Sequence, residues 1–419
     1  MDILAMIKLT ISTVAYNIIM PGNNTAYIIL LLITYTQYRR IAALEETVYG
    51  KLKTSLKNIM ARSILSGLIA GVAVSIPMTL MGISFSQNVG IMYLIPISIL
   101  LMFIEPRFLC FSYSGGLLSI ISLIFGFKWI NVTEVMLLVA ILHLLESVLI
   151  YIDGHKDAIA VLCRRKDGSL VGGYTMQHFW PIPIALIIFM GYGPASGEVI
   201  STPNWWPLVR PYINPSLINK AIFTAMPVCA ILGYSEFTSS YTPEEKCKNS
   251  AYKLGIFSIA LLLLSIISSY IYAFKFVAAI FAPAAHEFLI QHQKKLEAER
   301  KPIFCPASDG VKVLDTIPKS PAEQMKIRPG DTILSINNKP MLDENNLDEF
   351  FKEFVTYIWV EIRGRDGKVR TEEFKNFQDG IDELGIISVP RDIDGLPTVK
   401  EQDSFLKGFL KKHFKRRLH

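Results

Sequence analysis

Long apolar runs separated by short polar breaks fill the first 290 residues, and shorter, alternating runs fill the rest. An apolar run of about 20 residues matches the thickness of a bilayer core. On that basis Ile59–Met81, Gly90–Ile104, Phe108–Phe125, Val132–Ile152, Trp180–Tyr192, Leu217–Gly233 and Ile256–Phe274 are candidate spans. A last apolar piece, Val277–Ile290, leads out of the region. Near the start, Leu4–Met20 is interrupted by Lys8 and Asn17, broken at Pro21-Gly22, and followed by Ala26–Tyr38. The second piece is short for a span. Either the first lies on the membrane surface and the second crosses, or the two form a hairpin; the pattern leaves both open. Ile41–Lys57 is charged and predicts a cytoplasmic helix.

Beyond residue 300 the period shortens. Gly310–Ile317 predicts a strand. Ser320, Pro321 and Glu323 have the spacing of a helix N-cap, a first helical position and a capping partner. Arg328-Pro-Gly-Asp331 predicts a tight turn, and Thr332–Ile336 a second strand closed by Asn337-Asn338. A helix is expected over Asn346–Tyr357, where Leu347, Phe350, Phe351 and Phe354 recur at helical spacing. A hairpin follows, Ile358–Arg363 and Val369–Phe374, and then Asp382–Pro390. The order strand, Ser-Pro-Ala helix, Pro-Gly-Asp turn and strand ending in Asn resembles a bacterial, circularly permuted PDZ domain. The expected fold class is therefore a polytopic α-helical membrane domain followed by a small α+β circularly permuted PDZ domain. The boundaries read 1–290 for the membrane domain, 291–301 for a charged linker, 302–392 for the PDZ domain and 393–419 for a basic amphipathic tail. In permuted PDZ domains a segment like Glu383-Leu384-Gly385-Ile386 heads the peptide groove. Its amides cap a ligand carboxylate, and the next strand pairs with the ligand. The resemblance implies a groove of Leu384, Gly385, Ile386, Ile387 and Ser388 facing Phe350, Phe351 and Phe354. The same residues would also serve as a plain last core strand and a core-covering helix face.

Composition agrees with two regions. The 419-residue chain is 51% hydrophobic with mean hydropathy +0.37, too apolar for one soluble domain, and most of its acids follow residue 290. Lys and Arg alternate between loops. Arg39, Arg40, Lys51, Lys53 and Lys57 share one loop, Arg107 the next on that side, then Lys156, Arg164, Arg165 and Lys166, then Lys246, Lys248 and Lys253. The intervening loops are nearly bare, so the rich loops are expected in the cytoplasm, and the C-terminal domain with them if Val277–Ile290 recrosses. Trp205-Trp206 on an outer loop is expected to anchor at the interface. No cleavable signal segment is evident at the start.

Candidate chemistry is sparse. Glu134, His143 and Glu146 lie along one apolar helix, the last two sharing a face at i, i+3. Ionisable groups there suggest transport or sensing by default, but a His143–Glu146 pair holding helices together is the plainer expectation. The five cysteines have no CxxC spacing, so neither a disulfide frame nor a metal site is expected. No catalytic residue and no cofactor is expected either. Site-2 proteases combine a PDZ domain with a membrane core and need His-Glu-x-x-His on a helix to bind zinc. Here His286 and His292 are six apart and fall on different helix faces. Phe405 and Phe409 with Lys411, Lys412, Arg416 and Arg417 form a basic amphipathic tail suited to an anionic membrane surface. The acids elsewhere in the soluble part argue against nucleic acid.

The whole chain resembles the MinJ-type membrane proteins of Gram-positive bacteria. The resemblance rests on His143-Leu-Leu-Glu146 continuing to Gly154-His155, Gly172-Gly173 with Gln177-His-Phe-Trp-Pro181, Phe281-Ala-Pro with His286-Glu287-Phe288, and the PDZ segment. It implies a septum-site adaptor, at septa and poles, bridging a DivIVA-like scaffold and a MinD-like ATPase, with no reaction of its own. A PDZ-bearing membrane protease or regulator with a degenerate site, or a transporter or sensor, are the alternatives. The pattern fixes no oligomeric state.

Overall fold

The computed structural model describes residues 2–19, 25–86, 90–127, 130–165, 169–194, 200–203, 205–207 and 220–391. The N-terminal part runs α1 (Ile3–Ile19), α2 (Thr25–Tyr49), α3 (Leu56–Met81), β1 (Ser84–Ser86), α4 (Ile91–Met102), α5 (Phe111–Phe125), α6 (Val132–Asp153), β2 (Ile159–Arg164), β3 (Leu170–Tyr192), β4 (Ala221–Thr238), α7 (Pro243–Tyr270) and α8 (Ala273–Glu299). Four of these helices, α3, α6, α7 and α8, are long and apolar enough to cross a membrane. Helix α6 is apolar on every side and buried along most of its length, as a central helix must be. It packs on α7 and α5. Local chemistry sets the helix ends. Thr242 and Glu245 form a reciprocal capping box with Pro243 in the first turn of α7, and Gly82 ends α3 at φ +63°.

Two expected spans are strands. Trp180–Tyr192 belongs to β3, and the described part of Leu217–Gly233 belongs to β4; the two pair antiparallel from Tyr174–Thr238 to Tyr192–Ala221. The first run is too short for a helical span, and the second is at the lower limit. Both carry prolines (Pro181, Pro183, Pro227), and two at spacing two, as at Pro181 and Pro183, cost a helix more than the single interior prolines of α3, α4 and α8. Hydropathy alone cannot separate a fully buried strand from a buried helix. Strand β1 joins β3 in parallel at Ser84–Ile187, and β2 joins it antiparallel at Ile159–Thr175.

The middle of β3 lacks a strand neighbour on one edge, and α3 covers it. The Phe179 and Ala185 N–H groups point to that edge and donate to Tyr38 Oη (3.1 Å) and Ser75 Oγ (2.9 Å). The positions of the same parity between them are Pro181 and Pro183. Proline has no N–H, so the two remaining donors on this edge do not exist. Helix α3 faces it with the small stripe Ser63, Gly67, Ala70, Gly71 and Ser75, all buried, and Ser63 Oγ donates to the Phe179 carbonyl. A Cβ built on Gly67 or Gly71 would lie 2.2 and 2.0 Å from the carbonyl oxygens of Pro181 and Pro183. Glycine therefore sets how closely helix and strand approach.

Other boundaries move as well. Helix α2 runs unbroken through Arg39-Arg40, so Ala26–Tyr38 and the start of Ile41–Lys57 are one helix, ended at Gly50. Helix α8 continues to Glu299 and takes up most of the expected linker. Trp206 does not project as an anchor. It is buried, donates to the Thr79 carbonyl (3.0 Å) and packs edge-on against Phe223.

The C-terminal domain has β5 (Val311–Thr316), α9 (Pro321–Gln324), β6 (Thr332–Ile336), β7 (Lys339–Pro340), α10 (Glu344–Phe350), β8 (Tyr357–Arg363), β9 (Val369–Lys375) and β10 (Ile386–Ser388). The sheet order is β10-β5-β6-β8-β9, with β7 on β6. Ser320 caps α9 by accepting from Glu323 N, and Asp343 and Asn346 form a capping box on α10. Helix α10 starts and ends earlier than the sequence predicts. Leu347 and Phe350 already fill the core, and the β-branched Val355 and Thr356 then give their carbonyls to Ile381 and Asn376. Phe354 lies past the helix and is 76% exposed.

Candidate functional site

Strand β10 closes one edge of the C-terminal sheet, and among the described residues it pairs with β5 alone. The Ile317 N–H donates to the Gly385 carbonyl, and the Val389 N–H donates to the Lys312 carbonyl, each at 2.9 Å. The odd positions of β10 therefore face β5, and the amides and carbonyls of Ile386 and Ser388 face outward. An outward row of this kind is where an extended segment adds as a further strand.

The other expected groove residues divide. Leu384 and Phe350 are buried in the domain core, with Ile386 and Phe351 packed against it. Ile387 turns to the opposite face, and Phe354 stands clear of α10. Gly385 lies in the segment whose amides are expected to cap a ligand carboxylate. Its need for glycine has a more immediate cause: φ is +75°, and a Cβ would lie 2.2 Å from Ser320 Cβ. Ser320 Oγ and the Ile317 N–H both donate to its carbonyl, at 3.1 and 2.9 Å. A side chain at 385 would strain the domain before any ligand arrived.

The opposite face of β5 and β10 is docked on the helical domain. Leu314, Val389 and Phe304 share one apolar cluster with Tyr38 and Tyr49 of α2, Ile159–Val161 of β2 and Tyr174 of β3. The Gly172 N–H donates to the Phe304 carbonyl at 2.7 Å. A Cβ on Gly172 would meet Leu314, Val389 and Phe304 at 2.7–3.0 Å. At the centre, the Tyr49 hydroxyl accepts from Ala160 N (2.8 Å) and donates to Asp315 Oδ2 (2.6 Å), which also pairs with Lys53. The Tyr174 hydroxyl donates to the Leu314 carbonyl. Burial, then the Asp315 carboxylate, pushes the Tyr49 phenol far above its usual value, so it stays a donor. A further tie lies nearby, within the helical domain. Glu297, at the end of α8, accepts from the Ser239 and Ser240 N–H groups at 2.7 and 2.8 Å and pairs with Lys246.

The polar residues of α6 have distinct partners. Glu134 accepts from Ser86 N (2.8 Å), Ser86 Oγ (2.7 Å) and Asn131, and so fastens β1 to α6. His143 does not pair with Glu146. Its Nδ1 meets the Val139 carbonyl at 2.7 Å, and its Nε2 meets Cys110 Sγ at 3.0 Å. His286 lies on the same sulfur at 3.7 Å. The sequence reading missed this grouping because the three residues come from three helices and share no spacing motif. Near the end of α6, His178 stacks on Trp180, whose Nε1 donates to Asp153 at 3.2 Å, so part of the Gln177–Pro181 segment is a packing knot. The tail residues Phe405, Phe409, Lys411, Lys412, Arg416 and Arg417 lie outside the described residues.

The PDZ domain family profile matches residues 312–353. Over 364 residues, covering 82% of this chain and 85% of the relative, the sequence is 23% identical to the cell division topological determinant MinJ of Bacillus subtilis strain 168. The chain is thus similar to MinJ over most of its length and carries a PDZ domain. Two further relatives, named probable cell division topological determinant MinJ, come from Lacticaseibacillus paracasei and Lacticaseibacillus casei strain BD-II. Each is 30% identical over 86 residues, 20% of this chain and 23% of the relative. The profile covers β5, α9, β6, β7 and α10 and stops before β8, β9 and the edge strand β10.

Proposed function

We propose that this chain is a multi-pass membrane adaptor of the division apparatus. Its permuted PDZ domain lies in the cytoplasm and recruits septal or polar proteins; the chain carries out no reaction. The observation that carries this reading is the outward edge of β10 in a PDZ domain fastened to a helical domain with four candidate spans. An adaptor needs a docking edge held at the membrane, and these two features supply it. The name of the Bacillus relative supports the division context. In the finer form of the proposal, the partners are a DivIVA-like scaffold and a MinD-like ATPase. The alternation of Lys and Arg between loops supports the cytoplasmic side.

Ser388→Pro tests the groove. It removes an outward N–H and sets a pyrrolidine ring on the edge, while the β10–β5 hydrogen bonds use the other parity. In cells, the tagged full-length variant should accumulate normally, lose its septal and polar positions, and co-capture scaffold and ATPase at least about tenfold less, the equivalent of one strand-addition contact of about 1.4 kcal/mol. Undiminished capture would assign docking to another surface.

The tail belongs to the same proposal. A peptide spanning residues 404–419 should bind vesicles containing anionic lipid and be released as salt rises. Equal binding to neutral vesicles would remove the electrostatic contribution.

A further inference from the structure

We propose that Cys110, His143 and His286 form a zinc site that ties α5, α6 and α8 together inside the helical domain. Cys110 caps the start of α5, and the two histidines lie midway along α6 and α8. The sulfur is 3.0 Å from His143 Nε2 and 3.7 Å from His286 Nε2, and the three ligand atoms all lie within 4.8 Å of one another. A tetrahedral zinc ion, with sulfur at about 2.3 Å and imidazole nitrogen at about 2.0 Å, holds such atoms roughly 3.5 Å apart.

The surrounding hydrogen bonds fix which atoms carry protons. The Val139 carbonyl can only accept, so the Nδ1 of neutral His143 carries the proton and its Nε2 presents a lone pair. The Tyr113 hydroxyl donates to Glu287 Oε2 at 2.6 Å, which leaves its oxygen to accept from His286 Nδ1 at 3.4 Å. His286 Nε2 is then a lone pair as well. Cys110 Sγ already accepts from Ser112 N. Two imidazole lone pairs thus converge on a thiol that has one proton to give. Among the described residues one acceptor goes without a donor, and a buried acceptor left unsatisfied is destabilising. A cation between the three atoms satisfies all of them.

The donor set of one sulfur and two imidazole nitrogens suits a borderline-soft divalent ion. The outer partners match those of metal-bound histidines: a backbone carbonyl holds His143, and Tyr113, Glu287 and Arg107 form a chain behind His286. Phe257 walls the site, with its ring 5.5 Å from that of His143 and 5.6 Å from that of His286. The Arg107–Glu287 pair beside it is about one-third exposed and gives an ion a polar approach. As the S–Zn bond forms, the Cys110 S–H bond breaks and its proton passes to solvent, so binding tightens as pH rises. The fourth tetrahedral position is left to water.

The full-length protein in detergent, stripped with chelator and then re-equilibrated with Zn2+, should elute as a single species with one zinc per chain. Cys110→Ser and His143→Ala should each weaken zinc retention at least about 100-fold, and Tyr113→Phe about tenfold. His292→Ala should match the parent. With Co2+ in place of Zn2+, the parent should show a thiolate-to-metal charge-transfer band that Cys110→Ser lacks. This cobalt arm decides the matter on the parent itself if the alanine variants fail to elute as single species. A monodisperse parent that retains no zinc would overturn the assignment. So would unchanged stoichiometry in Cys110→Ser, or a cobalt spectrum without the thiolate band.

Discussion

Gly71→Ala should unfold or severely destabilise the helical domain, although alanine is the better helix former by about 1 kcal/mol. The added Cβ would lie 2.0 Å from the Pro183 carbonyl oxygen. Overpacking in a side-chain core costs about 1–3 kcal/mol because neighbours can shift. Here the obstacle is the backbone of a strand paired along its other edge. Helix α3 must lift away, losing the Ser63 and Ser75 hydrogen bonds and exposing the edge they cover. The expected loss is roughly 4 kcal/mol or more, beyond what most single substitutions cause. Gly67→Ala, with its Cβ 2.2 Å from the Pro181 carbonyl oxygen, should behave alike. Gly193→Ala is the control, since its nearest neighbour is a side-chain carbon at 3.9 Å. The measurement is monodispersity and thermal unfolding of detergent-purified protein. If Gly71→Ala melts with the parent, α3 does not rest on β3 as described.

The ease of reading each part from sequence follows from how local its determinants are. The PDZ strands β5, β6, β8 and β9 come within about one residue of expectation because turn residues punctuate them: Ser320-Pro321, Pro329-Gly330 and Gly367 act within a few positions. The α10 boundary fails because the helical spacing of Phe351 and Phe354 continues past the point where β8 and β9 pairing captures the chain. In the helical domain, hydropathy finds α3, α6, α7 and α8 but assigns β3 and β4 to the same class. Hydropathy reports apolar composition, not conformation: β3 is buried along most of its length, whereas β4 is mostly half-buried, and both read as apolar runs. The prolines at 181 and 183 carried the missing signal, since two prolines at spacing two suit a strand edge better than a span. The expected pairing of His143 with Glu146 follows correctly from helical spacing, but tertiary packing brings His143 to Cys110 and His286 instead. The small residues Gly67, Gly71 and Gly172 look alike in sequence; only the opposing backbones and side chains tell a helix–strand contact from an interdomain one.

Gly172→Val should release the PDZ domain from its dock while leaving both domains folded. Position 172 sits in β3, paired with Leu162, where a β-branched residue is locally favoured. Any loss therefore comes from the contact across the interface, where the new Cβ would meet Leu314, Val389 and Phe304 within 3.0 Å. Separation exposes the apolar cluster around Leu314 and Tyr49 and breaks the Gly172–Phe304 and Tyr174–Leu314 hydrogen bonds. The readout is amide exchange in the full-length protein. Protection across Ile303–Asp315 and Ile159–Val161 should fall about 100-fold or more, the equivalent of about 3 kcal/mol, while β8 and β9 keep theirs. High pH should act in the same direction. The Tyr49 phenol has its value raised on docking, so its contribution is complete below the free phenol value of about 10 and declines as pH rises above it. Tyr49→Phe should lessen that pH dependence, leaving the part set by Tyr174, whose phenol burial and then Asp315 also raise, and weaken docking at neutral pH by about 1 kcal/mol. If protection in Gly172→Val equals that of the parent at neutral pH, the PDZ domain is not held at this face. The membrane domain would then set only the location of the β10 edge, without fixing the direction it faces.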